Sequence, residues 1–232
     1  MNRRDALTAL GASAAIAVTG CEARADGHDA GVGNESSPAN NFHLYLCAFH
    51  IAKKNPAFVV EAHHYCSSVA EDVHQCVIFD SNSKNARILG VEYIISDAIY
   101  RKLPAEEKKF YHPHSYEIIS GTLMAPDLDD DAEQKLLSGL VTSWGKTWHT
   151  WPDPSTALPM GEPLLMWSAT RDGQISDELL ADRDRKMKVS TPAKRKRRSV
   201  FGPVPQIDPP KSLESLGRQF TNEGPDVPPA KK

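Results

Sequence analysis

The residues of this chain best suited to chemistry are its histidines, cysteines and a few carboxylates set among apolar residues. Two stretches stand out, Glu61-Ala62-His63-His64-Tyr65-Cys66 and His74-Gln75-Cys76. Side chains alternate across a strand, so Glu61, His63 and Tyr65 would share one face while His64 and Cys66 share the other. If the two stretches pair, His64, Cys66, His74 and Cys76 form the mixed nitrogen and sulfur set that zinc or copper takes. The spacing is neither C-x-x-C nor H-E-x-x-H, so it names no known site. His43, Cys47 and His50 fall at i, i+4 and i+7, which on a helix is one face. The same spacing reads more readily as a helix packed through Leu44, Leu46, Phe49 and Ile51, with the histidines at its margin. His112-Pro113-His114 offers two imidazoles flanking a proline, and His149 lies between Trp148 and Trp151, where a core histidine within an aromatic wall is the plainer reading. No G-x-S-x-G elbow, P-loop or dinucleotide fingerprint is present, so the hydrolases, kinases and dehydrogenases that carry those motifs find no support.

The elements that must position these residues can be read from periodicity. Residues 42–54 repeat apolar positions at helical spacing and stop at Asn55-Pro56, which predicts a helix. Residues 59–66, 73–80 and 87–96 are rich in Val, Ile, Tyr and Phe and predict antiparallel strands, the last two joined by a turn over 80–85. Ser96 can cap a helix running to Leu103, and Pro104 suits the start of a second short one. Residues 116–123 read as a strand. The carboxylates Asp129, Asp130 and Asp131 then sit at the positive end of a helix through Leu136, Leu137, Leu140, Val141 and Trp144, with Gly145 at its end. Residues 147–151 and 163–170 read as closing strands. This pattern predicts a single α+β domain, a mainly antiparallel sheet with packed helices.

Charge divides the 232 residues into three materials. The formal net charge is −3, the sum of +1 over residues 1–21, −11 over 22–180 and +7 over 181–232. An acidic body argues against nucleic acid as a partner, because phosphate binding needs clustered Lys and Arg. Residues 1–21 have the layout of a signal peptide, with Arg3-Arg4 resembling a twin-arginine export start and Val18-Thr19-Gly20-Cys21 resembling a lipobox. Acylation of Cys21 would anchor the protein in membrane lipid on the extracytoplasmic side, whereas cleavage after Ala25 would release a soluble secreted form. With Cys21 acylated three thiols remain, and Cys66 with Cys76 is the candidate disulfide. Residues 22–41 read as a flexible linker. Residues 181–232 hold eight prolines and read as a disordered tail, whose run Lys194-Arg195-Lys196-Arg197-Arg198 could touch anionic lipid.

A longer succession of segments then points to a family. Phe42-His43-Leu44, Glu61 to Cys66, Gln75 to Asp80, Asn85-Ala86-Arg87, Gly90 to Ser96, His112 to Glu117, Ser120-Gly121 and Gly145 to His149 occur in this order. Together they resemble the oil-body-associated protein family over residues 42–180. The resemblance implies a fold that works at or near lipid, since plant members associate with seed oil bodies, and it carries no agreed catalytic mechanism. It also places Glu61, His63, His64, Cys66, Cys76, Glu92, His112, His114 and His149 in family-matching segments, as a candidate polar or transition-metal site. The leading expectation is a membrane-anchored exported lipoprotein that binds lipid or another hydrophobic ligand. The alternatives are a metal-dependent enzyme with a His/Cys centre, with Glu61 or Glu92 as base to a metal-bound water, and a structural interaction module.

Overall fold

Six antiparallel strands close on themselves, and that closure decides which side chains meet. The computed structural model describes residues 37–52 and 55–206. The export signal, the lipobox at Cys21, the Ala25 site and the chain beyond residue 206 lie outside the described residues. The strands are β1 (Leu44–Ala52), β2 (Asn55–Ala70), β3 (Val73–Phe79), β4 (Ile88–Ile95), the two-residue β5 (His112–Pro113), β6 (Trp144–His149) and β7 (Leu164–Ser168). The order is β4-β3-β2-β1-β7-β6, and a further β4–β6 pairing closes the barrel, with β5 added beside β6. Register partners run Leu44, Cys66, Cys76, Glu92, Thr147, Met166 and back to β1 at Ala52. That return eight residues further along β1 is the stagger a closed barrel requires. Residues on this circuit and in phase with it face the interior, and Gly90 lies where β4 meets β6: a Cβ there would stand 1.9 Å from the Trp148 carbonyl oxygen.

The helix expected over 42–54 is strand β1, in which every residue after Leu44 is buried. A strand covered on both faces shows a continuous apolar run instead of alternation, and such a run also offers apolar residues at helical spacing. Its inner face lies inside the barrel, and its outer face carries Tyr45, Cys47, Phe49 and Ile51. The expected strand over 116–123 is instead a buried helix, α3 (Ser115–Ser120), ended by Gly121 in the left-handed region at φ 87°. Its Ile118-Ile119 pair favours a strand locally, and burial on all sides overrides that preference. Ser96 caps α1 (Asp97–Lys102), and α2 (Ala105–Lys108) follows Pro104. Helix α4 (Asp130–Leu140) is capped by Asp129, which accepts from the backbone of Asp131 and Ala132. It ends before Trp144 and Gly145, which belong to β6.

The tail reading fails for residues up to 206. Helices α5 (Asp177–Met187) and α6 (Thr191–Arg197) and a 3-10 turn, Arg198–Phe201, pack against the barrel. Met187 and Val189 cover Tyr45 and Cys47, while Leu180 and Val204 cover Phe49 and Ile51. Composition misleads because the polar residues here find partners inside the fold. Arg183 is fully buried, donating to the Thr122 carbonyl at 2.7 Å and the Thr191 hydroxyl at 2.8 Å, with its guanidinium over the Phe49 ring. Buried Glu133 of α4 takes Lys194 at 2.7 Å and Arg198 at 3.0 Å. Arg195 pairs with Asp172 and Arg197 with Asp131. Four of the five residues of the basic run are thus engaged by carboxylates of the domain. No helix among the described residues is long and apolar enough to cross a membrane.

Glu133→Ala strands Lys194 and Arg198 inside the fold. It should lower unfolding free energy by about 3–5 kcal/mol, measured by urea denaturation. A chain cut after residue 180 should fail to give a cooperative transition, because it bares the outer face of β1.

Candidate functional site

Five strands and the start of α3 bring their polar residues to one place inside the barrel. His50 of β1, His64 of β2, Glu92 of β4 and His149 of β6 all point inward, and His112 and His114 reach the same point from β5 and the start of α3. None is more than 3% exposed. Glu92 is the hub. Its Oε2 lies 3.0 Å from His64 Nε2, and its Oε1 lies 3.3 Å from both His112 Nε2 and His114 Nε2. His64 Nε2 is also 3.0 Å from His50 Nε2, and His50 Nδ1 is 3.0 Å from His149 Nε2. Glu117 of α3 is buried beside them, with its Oε1 3.9 Å from His114 Nε2.

Gly145 makes this convergence sterically feasible. A Cβ on it would sit 2.1 Å from Glu92 Oε1, 2.6 Å from His114 Nε2 and 2.8 Å from His112 Nε2, so only glycine leaves the three donors their space.

The electrostatics show what the arrangement is ready to hold. Burial alone would raise the Glu92 carboxyl, but the imidazoles of His112, His114 and His64 hold it well below the usual carboxylate range. Glu117 is pushed well above that range by burial and then by Glu92. Burial, with the neighbouring His64 and His149, keeps His50 well below the ordinary imidazole range. Burial lowers His112 against the pull of Glu92, and burial with His64 takes His149 to about 3. These rings are therefore neutral, the form in which imidazole binds metals. The His114 tautomer follows from its neighbour. Ser143 Oγ gives its only hydrogen to the Leu140 carbonyl at 2.7 Å, so it must accept from His114 Nδ1, also at 2.7 Å. With a proton on Nδ1, Nε2 faces Glu92 Oε1 at 3.3 Å and either carries a second proton to donate or presents a lone pair that a cation would have to bridge. Nδ1 of His64, Nδ1 of His149 and Thr147 Oγ1 are buried without hydrogen-bond partners.

The expected site residues divide into three groups. His64, Glu92, His112, His114 and His149 converge. Glu61 and His63 do not join them, because they occupy the opposite phase of β2 and face outward. His63 is held there by the Tyr45 hydroxyl at 2.7 Å and by Glu61 at 3.2 Å, and Glu61 is also paired with Lys186 at 3.3 Å. Cys47 stands beside them, with its thiol pushed up to about 12 by burial, which disfavours the thiolate a metal needs. Cys66 and Cys76 face each other across β2 and β3 and are joined in a disulfide, so neither is a free ligand. A His/Cys centre is therefore replaced by a histidine and carboxylate cluster. Glu92 stands among these donors, in both groups of ligand-type atoms. His50, Glu117 and Gly145 were not legible as members of this group. His50 was hidden by the helical reading of β1, and Gly145 by its assignment to a helix end.

A family model described as a protein of unknown function, DUF1264, matches residues 36–201. The chain is 39% identical to oil body-associated protein 1B of Arabidopsis thaliana over 175 residues, 75% of this chain and 73% of that relative. It is 36% identical to oil body-associated protein 1A of Zea mays over 194 residues, 83% and 82% of the two chains. The chain belongs to the oil body-associated protein family. Arabidopsis oil body-associated protein 2B is 36% identical over 170 residues, 72% of this chain and 69% of its own. No solved structure matches the chain. In this member of the oil body-associated family the matched region includes α5 and α6, in agreement with their packing on the barrel.

Gly145→Ala should lower stability by about 1–3 kcal/mol, because the added methyl forces Glu92 and both histidines apart. Gly139→Ala, in α4 with open space around it, should raise stability by about 0.5–1 kcal/mol. Thermal and urea denaturation of the two variants checks the contrast.

Proposed function

We propose that this domain binds a divalent transition metal inside its barrel and works while held at a lipid surface. The observation that carries the metal reading is the arrangement around Glu92. A buried carboxylate normally takes a cation or several N–H donors, and here it is ringed by imidazoles whose Nε2 atoms point at it and at each other. Donor separations of 3.0–3.3 Å match the edge of a tetrahedron with bonds of about 2.1 Å, roughly 3.4 Å. Imidazole with carboxylate suits zinc, iron, nickel or copper. Because the donors are buried, loading is coupled to folding. A twin-arginine route, which carries folded proteins, is compatible with loading before export.

The test is to unfold the full chain in chelator and refold it with and without Zn²⁺. After desalting, the zinc-refolded protein should retain about one equivalent or more and melt higher than the chelator-refolded form. Retention under about a tenth of an equivalent, with equal melting temperatures, contradicts the reading.

The lipid reading is supported by the relatives, named for their association with oil bodies, and by an uncovered apolar face. Ile88, Val91 and Tyr93 of β4 are exposed on the outer wall. Beside them a cavity of about 460 Å³ is lined by Phe42, Tyr65, Val77, Phe79 and Ile88. The described chain enters the domain along this groove, which Ala39 and Phe42 also line. The disulfide favours an oxidising compartment, as export implies. Contact of the basic run with anionic lipid receives less support, since four of its five residues have carboxylate partners. The test is flotation with phospholipid vesicles of an unacylated chain starting at Asp26. It should float, and Ile88→Glu combined with Tyr93→Glu should abolish this; failure of the unaltered chain to float would leave the anchor as the only lipid contact.

A further inference from the structure

We infer that the centre holds two metal ions bridged by Glu92. This rests on the metal reading above and specifies its stoichiometry and ligands. The donors do not form one undivided group. They fall into two sets, His50, His64 and Glu92 in one and Glu92, His112 and His114 in the other, each with ligand atoms within 4.8 Å of one another. The sets share only Glu92, and they divide its two oxygens. Oε2 faces His64 at 3.0 Å, with His50 Nε2 a further 3.0 Å from His64 Nε2. Oε1 faces His112 and His114 at 3.3 Å each. A carboxylate that presents one oxygen to each ion is the arrangement of two-metal sites, where the ions stand about 3.5–4 Å apart.

The surroundings of each set fit a ligand role. In the first, His50 would bind through Nε2 while its Nδ1 is held by His149 Nε2 at 3.0 Å. In the second, His114 would bind through Nε2 while its Nδ1 donates to Ser143 Oγ at 2.7 Å. Holding the far nitrogen in this way fixes ring orientation and tautomer at a metal, so His149 and Ser143 are positioning residues. His112 Nε2 is buried and makes no hydrogen bond although it lies 3.3 Å from Glu92 Oε1. Glu117, with Oε1 3.9 Å from His114 Nε2, lies beside the second set but outside its group of ligand atoms. Gly145 keeps the space beside that set open.

The test uses the full chain refolded with metal and desalted. With Zn²⁺, elemental analysis should find two equivalents in the unaltered protein, one in His114→Ala, and two in His63→Gln, which alters the outward set of Cys47, Glu61 and His63. With Cu²⁺, electron paramagnetic resonance of the unaltered chain should show a spin-coupled pair, a readout that does not depend on any variant folding. One equivalent with an isolated Cu²⁺ signal overturns the bridged pair and leaves the metal reading standing. Two equivalents that fall to one in His63→Gln place the second ion on the outer face and overturn it as well. No retained metal overturns both.

Discussion

A carboxylate enclosed in a protein barrel must be neutralised where it stands, and the arrangement of this domain follows from that requirement at Glu92. Strand β4 places Glu92 on the register circuit between Cys76 and Thr147, with its side chain directed inward. Moving an ionised carboxylate out of water costs several kcal/mol even after relaxation. No Lys or Arg approaches Glu92 among the contacts of the described residues; its neighbours are imidazoles. Burial lowers His112 beside it, and His50 and His149 further along the cluster, so the compensating charge has to come from a proton or an ion. The same demand accounts for Gly145, where any side chain would occupy the place at which Glu92, His112 and His114 meet.

The remainder of the fold maintains that enclosure. Strand β5 and the start of α3 carry His112 and His114 to the barrel, and Ser168 Oγ ties β5 down by donating to the Pro113 carbonyl at 3.0 Å. Helix α3 is in turn held by the C-terminal segment, whose Arg198 donates to the carbonyls of Ile118 and Leu123 at 2.8 and 2.6 Å. Arg198 also pairs with Glu133 of α4. A basic residue that looks like part of a solvated tail is thus mechanically linked to the histidines of the centre through α3. The disulfide between Cys66 and Cys76 fastens β2 to β3 next to Glu92's own strand, which limits how far that part of the wall can open.

How far the sequence could be read depended on whether local pattern and long-range contact agreed. Strands β3 and β4, the turn between them, the Ser96 cap and the Asp129 cap were legible because their signals are local. Alternation along β2 correctly separated Glu61 and His63 from His64, and so already held the division between outer and inner faces. The error at β1 arose because a strand buried on both sides has no alternation to read. The error at α3 arose because Ile118-Ile119 carries a strand preference that burial on every side outweighs. The error after residue 180 arose because composition counts Arg183, Lys194 and Arg198 as solvated, whereas their partners are supplied by Glu133, Thr191 and backbone carbonyls distant in sequence. Within the site, the residue types of His64, Glu92, His112, His114 and His149 marked them as candidates. Their meeting at one carboxylate is a property of barrel closure, which no spacing rule encodes.

The barrel thus carries an exposed apolar face on its outer wall, which we propose meets lipid, and an enclosed polar centre. The enclosed centre is the part on which the account stands. X-ray absorption at the zinc edge of the full chain, refolded with Zn²⁺ and desalted, examines it directly. The account predicts a first shell of nitrogen and oxygen at about 2.0–2.1 Å, with outer-shell scattering from several imidazole rings and from a second zinc. A shell of water oxygens alone, or one containing sulfur, would contradict it.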